Sequence, residues 1–92
     1  MSTYIIIIEW DQNQIPGTAA FENLLQTNFL WIKLMEQSYL IRGINTPVEI
    51  RNFITEKIPN LRRIFIGEMN YSAAWRNMIA DSDKIKHLFE NE

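Results

Sequence analysis

Cysteine is absent from this sequence, and histidine occurs once, at position 87. The first absence excludes disulfides, thiolate zinc sites and a thiol nucleophile. The second leaves no histidine pair for a metal and no Ser–His–Asp arrangement, and His87 reads as a surface residue of a C-terminal helix. The three glycines stand apart from one another, so no glycine-rich phosphate loop can form. Long hydrophobic runs are missing too. Tyr4–Ile8 is the longest, against roughly 20 apolar residues for a membrane-spanning helix. Met1-Ser2-Thr3 carries no basic n-region and no small-residue cleavage site follows. The expectation is therefore a cytoplasmic protein with no membrane partner. Excess positive charge is lacking as well. Nine Lys and Arg stand against eleven Asp and Glu, a net charge of −2. That excludes a general nucleic-acid binder held by bulk charge and leaves a local basic face open.

What is present is a chain of 92 residues, 47% hydrophobic and 22% charged, enough to exclude disorder and to fill one domain. A chain of this length buries only roughly 60–65% of its unfolded surface. The rest of its stability has to come from packing, a metal or a second subunit.

Four consecutive isoleucines in Thr3–Glu9 are stiff at χ1 and suit a pleated strand that is apolar on both faces, hence central. Asp11-Gln-Asn-Gln-Ile-Pro16-Gly17 is turn chemistry. Thr18 is placed to cap a helix from about Ala19 to Thr27, with Phe21, Leu24 and Leu25 on one apolar stripe. Phe29–Met35 alternates as a second strand, Glu36-Gln37 is a hairpin-length turn, and Ser38–Arg42 returns as a third strand. Thr46-Pro47-Val48-Glu49 is a capping box with proline at the first helical position. Ile50, Phe53, Ile54 and Ile58 form the apolar face of the helix it opens. Arg63–Met69 is the fourth strand, followed by a helical stretch over Ala73–Ala80 and a short last helix bearing Ile85, Leu88 and Phe89.

The predicted fold class is therefore α+β, a ferredoxin-like βαββαβ sandwich over residues 1–70. Residues 71–92 form a C-terminal helical extension of the same domain. Right-handed connections place the strands in the order 4-1-3-2. Both helices of such a sandwich cover one sheet face, and the other face also carries large apolar groups. Two coverings are open: the C-terminal tail folds back over that face, or a second copy packs against it as a homodimer.

Glu9 and Asp11, two residues apart at the end of the first strand, point the same way if the strand continues through Trp10. Carboxylates so placed could ligate a hard divalent cation, Mg²⁺ or Mn²⁺. The competing reading has Asp11 in an Asx turn and Glu9 as an edge charge. Charge is also uneven along the chain: residues 1–41 carry −3, residues 42–76 carry +3 and residues 77–92 carry −2. All five arginines lie in the middle segment. Arg51, Arg62 and Arg63 could track an RNA or DNA backbone through phosphate contacts. The competing reading is a solvated surface with local ion pairs.

The run from the apolar first strand into Trp10-Asp11-Gln12-Asn13 and Pro16-Gly17 is one part of a wider pattern. Ser38-Tyr39-Leu40-Ile41, Thr46-Pro47-Val48-Glu49-Ile50-Arg51, Arg63-Ile64-Phe65-Ile66 with Glu68, and Ala73-Ala74-Trp75 are the others. In order and spacing, over about residues 3–76, this pattern resembles the small ferredoxin-fold nucleases of CRISPR adaptation. It is more similar still to their SinR-like relatives, near the VapD-like toxin ribonucleases. The resemblance implies a ferredoxin-like homodimer in which Asp11 is the catalytic and metal-binding position, with Glu9 beside it. Metal-dependent phosphodiester cleavage is the enzymatic expectation. A non-catalytic dimer that binds a protein partner, as an accessory factor of a defence or mobile-element system, is the alternative. A small-molecule regulatory domain is a third reading, without a ligand signature in the sequence.

Overall fold

The architecture was obtained as a computed structural model, which describes residues 2–69 and 73–90. The described residues form an α+β fold with a four-stranded antiparallel sheet and three helices. In chain order the elements are β1 (Ser2–Trp10), α1 (Thr18–Asn28), β2 (Leu30–Met35), β3 (Ser38–Gly43), α2 (Pro47–Lys57), β4 (Leu61–Met69) and α3 (Ser82–Glu90). The sheet order is β2-β3-β1-β4. β1 is an interior strand, as its isoleucine run requires. Among the described residues no helix is long and apolar enough to cross a membrane.

The isoleucine run divides by parity. Tyr4, Ile6, Ile8 and Trp10 point to one face and join Tyr39 and Ile41 of β3, Phe21 and Leu25 of α1, and Ile50, Ile54 and Ile58 of α2 in the main core. Trp10 meets Phe21 edge-on at 6.1 Å, and Phe21 meets Tyr39 at 5.0 Å, geometries that favour the aromatic quadrupoles. α2 begins as its sequence demands. The Thr46 side chain accepts from the Glu49 backbone N–H at 3.2 Å, and the Thr46 N–H donates to Glu49 Oε1 at 2.9 Å. α1 begins one residue earlier than expected. Its N-cap is Gly17, with no side-chain cap bond, and Thr18 is already helical. A Cβ on Gly17 would sit 3.2 Å from the Asn60 side chain, so any other residue there has to push Asn60 aside by a few tenths of an ångström.

The second face is covered in part by the chain itself. Leu34 and Leu40 pack with Ile85 and Leu88 of α3, and Ile5, Ile32, Met69, Trp75, Met78 and Ala80 pack around them. The expected helix over Ala73–Ala80 does not form. Asn77 adopts a left-handed φ of 56°, which interrupts a right-handed helix. The Ile79 N–H instead donates to the Leu34 carbonyl at 2.9 Å. The segment thus lies against β2 and delivers Trp75 and Met78 to the sheet. The expected boundary at residues 70/71 and the side chain of Phe89 lie outside the described residues.

Candidate functional site

One uncovered part of the second face lies at the β1–β4 side. Strand alternation puts Ile7 and Glu9 of β1 there, opposite Phe65 and Arg63 of β4. Ile7 is 44% exposed and Phe65 61% exposed, although both are strand residues directly paired with each other. They border a groove of about 320 Å³ that ends at Glu9 and Arg63. The Phe65 ring leans over Gly67, which leaves room for it. β4 is an edge strand of nine residues, so one row of its backbone N–H and C=O groups has no strand partner among the described residues. The opposite edge, β2, is six residues long and has an irregular register between Lys33 and Met35.

The sequence-predicted site residues separate in space. Glu9 is engaged by Arg63: the Arg63 Nη1 donates to Glu9 Oε2 across the β1–β4 pair. Asp11 is turned into the loop. Its Oδ1 accepts from the Asn13 N–H at 2.9 Å, an Asx turn, and its own N–H donates to the Asn60 carbonyl at 3.1 Å. β1 does continue through Trp10, but the register shifts between Glu9 and Trp10, leaving Arg62 as the extra residue on β4. Arg51 lies on α2, the helix that covers the other sheet face, with its guanidinium on Asn52 Oδ1 at 3.2 and 3.1 Å. The structure therefore brings Glu9 and Arg63 together and leaves Arg51 on the far side of the sheet. Among the described residues, no three or more His, Asp or Glu side chains converge as metal ligands do.

A second polar cluster went unnoticed at the level of sequence. The buried Tyr39 donates its hydroxyl to Glu22 Oε2 at 2.8 Å, and Lys33 Nζ approaches the same oxygen at 2.9 Å. Lys33 also lies over the Tyr39 ring, 5.8 Å from its centroid. Burial raises the Glu22 carboxyl pKa, but the hydrogen bonds from Lys33 and Tyr39 and the Lys33 charge outweigh it, so the net is below the ordinary 4.5. Burial and the Glu22 carboxylate drive the Tyr39 hydroxyl well above its ordinary 10.0. An ionised glutamate and a protonated tyrosine, both moved away from neutrality, fit a structural tie between α1 and the sheet rather than an acid–base pair.

One feature of the site had a faint signal in the sequence, and one had none. Phe65 stands between Ile64 and Ile66, so an alternating strand had to expose either the phenylalanine or both isoleucines. The Glu9–Arg63 pair spans 54 residues and is defined only by strand register. Comparison with protein-family models, with curated proteins and with solved structures returns no match for this chain.

Proposed function

We propose that this chain is a homodimeric protein of ferredoxin-like architecture that acts by binding rather than by cleavage. As an interaction module it would serve a defence or mobile-element system of the kind its sequence resembles. The element order and the β2-β3-β1-β4 sheet support the architecture. The observation that carries the dimer is the exposed Ile7–Phe65 patch beside the unpaired edge of β4. An antiparallel pairing of β4 with its own copy, centred on Phe65, sets Phe65 against Phe65 and Ile64 against Ile66. It also sets Arg62 against Glu68, twice by symmetry. Such opposite-charge cross-strand pairs stabilise, and the arrangement is self-complementary as a twofold interface demands.

The same arrangement weighs against a shared metal site. Asp11 is tied to Asn60, five positions from Phe65 along the β4 side. At about 3.4 Å per residue on either side of the twofold, two copies of Asp11 stand roughly 34 Å apart. Arg62, in this reading, is a contact of the dimer seam and not a phosphate ligand.

Light scattering on the full chain is expected to give twice the monomer mass. Phe65→Glu, which sets like charges against each other at the twofold, is expected to give monomers with an unchanged far-UV spectrum. With Mg²⁺ or Mn²⁺, RNA and DNA are expected to remain intact. Metal-dependent cleavage that Asp11→Asn abolishes would instead establish the nuclease reading.

A further inference from the structure

β3 reads Ser-Tyr-Leu-Ile-Arg-Gly, and the arginine is as buried as Leu40 in the same strand: Arg42 is 2% exposed. Its Nε and Nη1 have no hydrogen-bond partner. Those two nitrogens carry three N–H donors on a permanently charged group. A buried guanidinium without acceptors is costly, and folded proteins seldom keep one without a use. In register it stands between Thr3 of β1 and Leu30 of β2, and the Thr3 hydroxyl is likewise buried and unpartnered.

Arg42 borders a hollow of about 470 Å³ between β2 and α3, walled by Leu30, Ile32 and Leu88, with His87 of α3 and the strand at Trp31 also on its border. That volume lies within the usual range for small-molecule sites. Lys84 and Asp83 of α3 reach the same hollow with opposite charges. Asp83 lines it without supplying an acceptor to Nε or Nη1. We propose that the hollow binds a small organic monoanion, an apolar body ending in a carboxylate, with Arg42 recognising the oxyanion. Lys84 and Asp83 offset each other and His87 also borders the hollow, so a carboxylate answers the Arg42 guanidinium, whereas inorganic phosphate has no apolar body to fill the walls. Leu30, Ile32 and Leu88 hold the body of the ligand. The site sits on the β2 side of the sheet, away from the β4 edge, so it stands independently of the dimer.

Hexanoate is the probe, with hexanol and inorganic phosphate as controls, titrated into the full chain. Thermal unfolding and amide resonances are the readouts. Hexanoate is expected to raise the unfolding midpoint and to shift the Leu30, Ile32 and Arg42 amides, while hexanol and phosphate do neither. Arg42→Leu removes the orphaned charge and keeps apolar volume, so it is expected to fold with a ligand-free midpoint no lower than the parent. Its hexanoate affinity should fall about 10-fold or more, the loss expected for a charged hydrogen bond. Leu30→Trp, at an exposed wall position, is expected to weaken binding with Arg42 intact. An unchanged midpoint and unchanged resonances with millimolar hexanoate overturn the proposal. So does equal binding by Arg42→Leu, or a response to hexanol or phosphate equal to that of hexanoate.

Discussion

Glu22 illustrates how one side chain joins two elements and writes a pH dependence into the fold. It accepts from both Tyr39 and Lys33 at the seam of α1 with β2 and β3. Its folded pKa lies below the ordinary 4.5, so the stability it contributes is present above that value and is lost as pH falls through the lowered one. Tyr39 works in the opposite sense. Its folded pKa lies above the ordinary 10.0, so its contribution is complete below that value and is lost as pH rises beyond it. Glu22→Gln is expected to cost about 1.5 kcal/mol at neutral pH and to flatten the acid limb of the stability profile. Tyr39→Phe is expected to flatten the alkaline limb and spare the acid one. Urea midpoints measured from acid to alkaline pH check both. No spacing rule links residues 22, 33 and 39. The cluster exists because α1 lands on the β2–β3 hairpin, which explains why sequence reading passed over it.

Among the elements, α2 is the most locally specified. Its capping box, its proline and its apolar stripe agree on start, length and buried face. Thr46→Ala removes an acceptor from the first turn and is expected to cost about 1 kcal/mol in a thermal melt. α3 is the opposite case. Nine residues make a marginal helix on their own, and α3 persists because Ile85 and Leu88 seat against Leu34 and Leu40. Ile85→Ala is expected to cost about 3 kcal/mol and to red-shift the emission of Trp75, which packs against the same cluster. Lys86→Ala, on the exposed side of the helix, is expected to stay within about 0.5 kcal/mol. Residues 73–80 look helical by composition because their alanines and methionine favour that state. They are not helical because the Leu34 carbonyl and the apolar surface of the sheet compete for the same segment, and Asn77 accepts the left-handed turn this needs.

For the whole molecule, the proposed dimer makes stability depend on concentration. The unfolding midpoint of the parent is expected to rise with protein concentration, and that of Phe65→Glu to be independent of it. A parent midpoint that ignores concentration would count against a dimer coupled to folding. The tail removes much of the apolar surface that first suggested a partner, and on the β1–β4 side of that face it leaves Ile7, Phe65 and the β4 edge exposed. By itself the sequence determined the α+β class, the placing of six of the seven elements to within two residues, and the inward stripes of α1 and α2. These follow from periodicity, capping and turn chemistry, all of which act over a few residues. The tertiary structure decided which isoleucines of β1 face the helices, that Glu9 is bound to Arg63 and Asp11 to its loop, and that the tail lies on the second face. It also decided that Arg42 is enclosed rather than solvated. Each of these depends on strand register and on packing between segments far apart in the chain, and local sequence patterns carry no record of either.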